Sequence, residues 1–443
     1  MAESSYNSEY DKLSKWSRAR HSHIGVACVV ALTLFIDMLV YGVVIPCLPL
    51  IVIERLKGDS TMVGFLFGCY AFGLLVSTPI FAILSDKYKN RRYPMIGGML
   101  GLFVSTAAFA LADTYVLLVL ARTAQGVAGG ASWTIGLGLL ADVFPTKKLG
   151  VVMGTVLTAH TVGFAIGPAA GGFLYEYGGF AAPFIFCAAF AIINFFAIVW
   201  LAEPKHDHVE DTSDHVSRAQ EDIEENESTP LIKTKKNTPV TMIGLLKNWR
   251  ILSCVLCTTV SASVFAGIEP ALPIHLQKEF NAPASTIGMI FVAMVVPAFL
   301  APLIGHLSDK WGRQAISATG MIMMAIAGPF VAVHYSTIYF VIPPLMLFGL
   351  SSPVTLTPVL PEMGETVTEM VSCCIPLAHP FLVYALYNMA YSVGMFIGPV
   401  IAGYIMSVST FESLMLLFSA ALLVCSPVMV NWAAVYHRIF DFF

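Results

Sequence analysis

The sequence predicts an all-α polytopic membrane protein, with twelve transmembrane helices arranged as two pseudo-symmetric bundles of six. Three observations carry this reading. Hydrophobic residues fill 57% of the 443 positions and charged residues only 12%, about half the charge with which a soluble domain coats its surface. Twelve apolar windows are each long enough to cross a bilayer core about 30 Å thick as a helix, the form in which a chain satisfies its own backbone polar groups in lipid. Short motifs in the first six windows also recur in the last six at nearly one spacing. The net charge of −4 is scattered, so the concentrated basic face that a nucleic-acid partner needs is absent.

In chain order, the spans expected are 24–50, 62–85, 94–112, 115–141, 150–173, 181–201, 250–275, 284–307, 315–333, 337–361, 380–408 and 411–434. They divide the chain into a cytosolic tail (1–23), a first bundle (24–201), a linker (202–248), a second bundle (249–434) and a short cytosolic tail (435–443). The linker is rich in Asp, Glu, Lys, Ser and Thr and lacks apolar periodicity, so disorder is expected there. The polar first 23 residues do not have the layout of a cleavable signal peptide.

Orientation follows from Lys and Arg. With the N-terminus inside, 20 fall on the inner side and three, Arg55, Lys57 and Lys278, on the outer, which places both termini in the cytosol. One segment dissents: the expected cytosolic loop from Glu362 to His379 carries Glu362, Glu365 and Glu369 and no basic residue. Most of the nine Cys lie in apolar runs, as small hydrophobes do. Cys254-x-x-Cys257 lacks the second ligand pair of a metal site, so no metal is expected.

The repeats are specific. Pro46-Cys-Leu48-Pro49 is echoed by Pro270-Ala-Leu272-Pro273 at an offset of 224, Asp86-Lys87 by Asp309-Lys310 at 223, and Gly163-x-x-x-Gly167-Pro168 by Gly394-x-x-x-Gly398-Pro399 at 231. Such a duplication builds a cavity near the membrane midplane between two bundles that can rock against each other.

These residues resemble the major facilitator superfamily. Gly305-His-Leu-Ser-Asp309-Lys310-Trp-Gly312-Arg313 matches that superfamily's cytoplasmic loop signature, and the loop holding Asp86 and Arg91 is a degraded copy, with Ala82 at the first glycine position. The resemblance implies a latch between the halves at these loops. Gly163-Phe-Ala-Ile-Gly167-Pro168-Ala-Ala-Gly171-Gly172 resembles the motif of antiporters and drug exporters in the superfamily. Glycines four apart also permit close helix packing and Pro168 a bend, so a packing seam alone is the plainer alternative.

Within the superfamily the chain is most similar to vesicular amine transporters and their drug:proton antiporter relatives. The likeness runs through Asp37, Ala121-Arg122-Thr-Ala-Gln125-Gly126, Leu174-Tyr175-Glu176-Tyr177 and Glu269-Pro270-Ala-Leu272-Pro273-Ile274. It departs where those transporters carry a lysine in helix 2, here Tyr70, where their helix 10 aspartate gives way to the region of Pro353, and where their helix 11 aspartate becomes Asn388. Fungal members of this branch tend to have a long loop between helices 10 and 11, and many export toxic or secondary metabolites. The resemblance therefore implies proton-coupled antiport and multidrug efflux, with no enzymatic activity and no cofactor beyond the proton gradient.

A charge at membrane depth is costly and by default functional. Asp37 lies about 13 residues into the first span, roughly 20 Å at 1.5 Å per residue and so near the midplane. Glu269 lies two turns further outward on the seventh, and Arg122 two turns into the fourth. A carboxyl in a partly dry cavity binds protons nearer neutrality than one in water, and an organic cation competes for its ionised form. Asp37 and Glu269 are thus expected to share the roles of proton carrier and cation counter-ion, with Arg122 biasing proton release; a water-bonded structural acid, a kink-satisfying acid beside Pro270 and a purely structural arginine are the plain alternatives. His160 could relay protons, or be a buried neutral side chain. Gln125, Asn194, Asn388 and Tyr391 could line the path or tie helices together.

The expected function is export or sequestration of amphipathic small organic molecules, with cationic drugs, amines or secondary metabolites foremost, by a monomer, with the plasma membrane favoured over vacuolar or vesicular ones. Two rivals stay open: an exporter of an anionic or neutral metabolite bound by Arg122, and a non-transporting receptor on the same fold. No Gly-x-x-x-x-Gly-Lys-Ser/Thr phosphate loop is present to suggest an ATP-driven pump.

Overall fold

A computed structural model describes residues 22–88, 91–200, 242–371 and 379–429. Among them twelve helices are long and apolar enough to span a membrane. These are α1 (His23–Leu50, continued by a π turn Ile51–Arg55), α2 (Ser60–Tyr88), α3 (Arg92–Ala110), α4 (Tyr115–Val143), α5 (Thr146–Gly178) and α6 (Ala182–Trp200) in the first half. The second half holds α7 (Trp249–Phe280), α8 (Ala284–Val295, carried on through a 3-10 turn to Ala301–Trp311), α9 (Arg313–Val331), α10 (Ile342–Leu356, then Val359–Val371), α11 (His379–Val408) and α12 (Phe411–Met429). The expected tails, most of the linker, the end of the twelfth span and the side chain of Asp86 lie outside the described residues.

Local chemistry sets several boundaries. The side chains of Ser22, Thr114 and Asn248 accept from the backbone N–H groups of Ile24, Leu117 and Arg250 at 3.2, 3.4 and 2.9 Å, starting α1, α4 and α7. The α8–α9 turn passes through Gly312 at φ 102°, a conformation open to glycine, which explains that position of the loop signature.

The structure differs from expectation at two places. Glu362, Glu365 and Glu369 do not lie in a loop but on the helix Val359–Val371. Spacings of three and seven residues put them on one face, where Arg250 at the start of α7 and Arg313 at the start of α9 meet them. The whole tenth span, Ile338–Glu369, has 32 residues; it covers about 48 Å at 1.5 Å per residue, against a hydrocarbon core of about 30 Å, so its acidic end projects beyond the core. The second difference is a helical turn, Met242–Leu245, inside the stretch assigned to the linker, with Leu245 buried.

The two halves repeat each other's packing: α1 on α5 matches α7 on α11, and α3 on α4 and α6 matches α9 on α10 and α12. Between the halves α2 packs on α11 and α5 on α8. We call the face where α1 begins and α12 ends proximal, and the opposite face distal. The close contacts between halves are distal: a Cβ at Gly64 would run into Pro399 and Gly403, and one at Gly172 into Ala284. Glu176 accepts from the Ser285 backbone N–H at 3.1 Å, and Gln277 donates to Glu54 at 2.5 Å.

Candidate functional site

On the proximal side of these contacts lies a cavity of about 310 Å³ between the halves. Residues one turn apart build its walls: Asp37 and Tyr41 from α1, His160 and Phe164 from α5, Phe265 and Glu269 from α7, and Tyr387 and Tyr391 from α11. Tyr70, Trp133 and Asn388 also line it, with Met38, Leu74, Thr78, Leu356, Ser392 and Met395.

Asp37 and Glu269 are 3% and 2% exposed. The Tyr41 hydroxyl donates to Glu269, joining the two halves. Asp37 and the Tyr70 hydroxyl are polar neighbours, and both crowd the same point of α4. A Cβ at Gly129 would stand 2.7 Å from the Tyr70 oxygen and 3.0 Å from Asp37 Oδ1, so glycine there is what admits both groups.

Behind this wall sits Arg122, fully buried. Its guanidinium carbon lies 5.0 Å from the Tyr41 ring centre, 4.9 Å from that of Tyr70 and 5.6 Å from that of Phe67, distances at which ring faces attract a cation. Nη1 donates to Gln125 at 3.1 Å, and Gln125 in turn donates to Thr106 at 3.3 Å. Nε and Nη2 have no partner, and Arg122 makes no ion pair among the described residues. The side chain is therefore a fixed positive charge that feels both carboxylates from behind two tyrosine rings.

Of the residues singled out in the sequence, Asp37, Glu269, His160, Asn388 and Tyr391 meet at the cavity, while Arg122 and Gln125 stand behind it. His160 lies edge-on to Trp133 at 5.2 Å. Asn194 donates to Thr33 at 3.0 Å and ties α6 to α1. Gly163, Gly167 and Pro168 form the α1–α5 seam, where a Cβ on Gly167 would stand 2.8 Å from Gly42 Cα; Gly394 and Gly398 press on Thr259 and Ser263 of α7 in the same way, and Pro399 meets α2 at Gly64.

The expected latch between the halves at the signature loops is not formed by their described side chains. Arg313 pairs with Asp309 at 3.1 Å and Glu365 at 2.6 Å inside the second half, Arg91 pairs with Asp142 inside the first, and Gly305 has only Thr357 nearby. The halves meet distally here, and the described ion pairs of Arg91 and Arg313 stay within their own bundles.

Sequence reasoning missed the role of Tyr41. Its spacing of four from Asp37 was the available signal. It also missed the bonds that Glu176 and Gln277 make across the halves, since their partners are distant in sequence and carry no local sign.

The Major Facilitator Superfamily model matches residues 30–262 and 251–438. The chain belongs to the Major Facilitator Superfamily. A Schizosaccharomyces pombe MFS-type transporter is 25% identical over 89% of this chain and 92% of its own length. MFS-type transporter ppzB of Metarhizium majus is 29% identical over 65% of this chain and 70% of its own length. The human chromaffin granule amine transporter is 28% identical over 84% of this chain, which spans 65% of that protein. Among solved structures, a bacterial homologue of the human lysosomal transporter Spinster, inward-facing and unoccupied, aligns with a TM-score of 0.69 at 14% identity over 94% of this chain and 97% of its own. The nucleoside transporter NupG gives 0.68 at 11% identity over 91% and 98%. This superfamily chain is thus an integral, multi-pass membrane protein of a transporter family, with a cavity sized for a small molecule.

Proposed function

We propose that this protein is a proton-driven antiporter of amphipathic organic cations. The observation that carries the reading is the pair of buried carboxylates, Asp37 and Glu269, supplied by opposite halves to one aromatic-lined cavity. A carboxylate shielded from bulk water must hold either a proton or a cation, so cargo and protons exclude each other at this site. Asp37, whose neighbour Tyr70 belongs to the same half, is the seat for a cation, while Glu269, engaged by Tyr41 of the other half, links proton occupancy to the contact between halves. Ring faces of Tyr41, Tyr70, Trp133 and Phe265 suit a partly apolar cation. The similarity to amine transporters supports the same class of cargo.

Export of an anion would need Arg122 to reach the cargo, and its burial behind two tyrosine rings argues against that. We place both termini in the cytosol from the Lys and Arg bias. Relatives named for chromaffin granules and synaptic vesicles favour an internal membrane over the plasma membrane expected from sequence.

The test is uptake into acid-inside proteoliposomes across a panel of amines, drugs and organic acids, with Asp37→Asn and Glu269→Gln alongside. Amine accumulation that collapses with the pH gradient and is lost in both variants supports the reading. Movement of no amine, or full exchange by both variants, overturns it.

A further inference from the structure

Tyr70 on α2 meets both buried charges of the first half. Its side chain is 2% exposed and lines the cavity, with Asp37 as the polar neighbour of its hydroxyl. The guanidinium carbon of Arg122 lies 4.9 Å from the centre of its ring. Close approach of α2 to α4 fixes the tyrosine in this place. A Cβ at Gly126 would run into the Tyr70 carbonyl oxygen, and one at Gly73 into that of Thr123. Gly129 then leaves room for the hydroxyl beside the carboxylate.

We propose that Tyr70 is a positioning residue that sets the pH at which Asp37 exchanges a proton for cargo. This rests on the antiport reading and names what tunes it. A phenol donates a hydrogen bond to an ionised carboxylate and accepts one from a protonated carboxyl. The first bond is charge-assisted and roughly twice as strong as the second, so a hydroxyl at this point favours the ionised acid, the form that takes a cation. Arg122 works through the same ring. A cation held near an aromatic ring is attracted to its electrons and draws them away from the oxygen, which makes the O–H a stronger donor. Arg122 thus bears on Asp37 without itself reaching the cargo.

The other titratable groups of the cavity are engaged elsewhere. Tyr41 donates to Glu269, His160 lies edge-on to Trp133, and Tyr387 stacks on Tyr391 along α11. That leaves Tyr70 as the hydroxyl beside Asp37.

The test is equilibrium binding of a fluorescent amine to the full chain in nanodiscs over a pH series, for the parent, Tyr70→Phe and Gly129→Ala. Cargo binds the ionised acid, so binding is full at alkaline pH and falls as protons compete. Losing the hydroxyl weakens the ionised form against the protonated one, so protons win at a higher pH. Tyr70→Phe keeps the ring beside Arg122, and it is expected to raise the pH of half-maximal binding by about one unit, a tenfold change. Affinity on the alkaline plateau should stay near that of the parent. Gly129→Ala drives a methyl against the hydroxyl and the carboxylate, and should move the midpoint in the same direction. Both variants should elute as a single species. A midpoint in Tyr70→Phe that stays in place or moves to lower pH overturns the role of Tyr70 and leaves the antiport reading standing. A loss of affinity that is equal at every pH marks Tyr70 as a cargo contact and overturns it too. Failure of the parent to bind amine at any pH overturns the antiport reading and this inference with it.

Discussion

Tyr41 on α1 and Glu269 on α7 are joined by a hydrogen bond that runs from one half of the transporter to the other, at the distal end of the cavity. Tyr41 also lays its ring over Arg122 and lies 4.7 Å from the ring of Tyr70. One side chain therefore touches the acid of the second half, the fixed cation of the first, and the neighbour of Asp37.

Tyr41→Phe keeps the ring and removes the donor. A hydrogen bond to a charged group contributes about 1.5–3 kcal/mol, so the ratio of distally closed to distally open molecules should fall by roughly 10–150-fold. Spin labels at the exposed positions Lys57 and Lys278, one on each half, would report this as a longer distance population in pulsed resonance measurements. An unchanged distribution would mean that the bond does not help hold the halves together.

Two glycine substitutions should separate folding from conformational balance. Gly167 packs within the first half against Gly42, whereas Gly64 packs across the halves against Pro399 and Gly403. Overpacking costs about 1–3 kcal/mol or more. Gly167→Val should lower the thermal unfolding temperature, while Gly64→Val should leave the bundles folded and shift the same spin-label distances outward. Equal loss of folded protein from both would contradict this division.

The architecture was legible because each span is long and apolar and because the duplicated motifs fix the count at two sixes. Asp37, Glu269, His160, Asn388 and Tyr391 could be found as polar residues in apolar runs, since that placement is costly. The loop expected around Glu362 was misjudged because polarity was weighed above spacing: three acids at helical intervals were already a helix face awaiting arginines. What could not be read were long-range pairs such as Glu176 with Ser285. These depend on how helices meet, and no local pattern encodes the meeting.

Glu362 is the buried member of the proximal network, 7% exposed at its side chain. It accepts from Arg250 at 2.8 Å and from Gln314 at 2.6 Å, while Glu369, more than half exposed, pairs with Arg250 at 2.7 Å. Removing Glu362 takes a buried acceptor away from both Arg250 and Gln314, so Glu362→Ala should cost about 1–3 kcal/mol, against less than about 1 kcal/mol for Glu369→Ala at the surface. Thermal unfolding of the purified variants would rank them. The reverse order would show that burial does not govern this network.

Arg122→Lys tests whether the positive charge or its shape matters behind the cavity. A guanidinium is planar and weakly hydrated, and it spreads over several rings while keeping a donor for a neighbour; an ammonium is a compact, strongly hydrated point charge. With Tyr41, Tyr70 and Phe67 all within 5.6 Å of the guanidinium carbon and Gln125 bonded to Nη1, lysine cannot reproduce these contacts. The variant should insert and fold, retain cation binding at Asp37, and lose gradient-driven accumulation by about tenfold, the effect of roughly 1.4 kcal/mol on one step. Binding of a fluorescent amine, measured beside accumulation in proteoliposomes, separates the two. Should lysine accumulate amines as well as arginine does, a bare positive charge suffices and the ring enclosure is only packing.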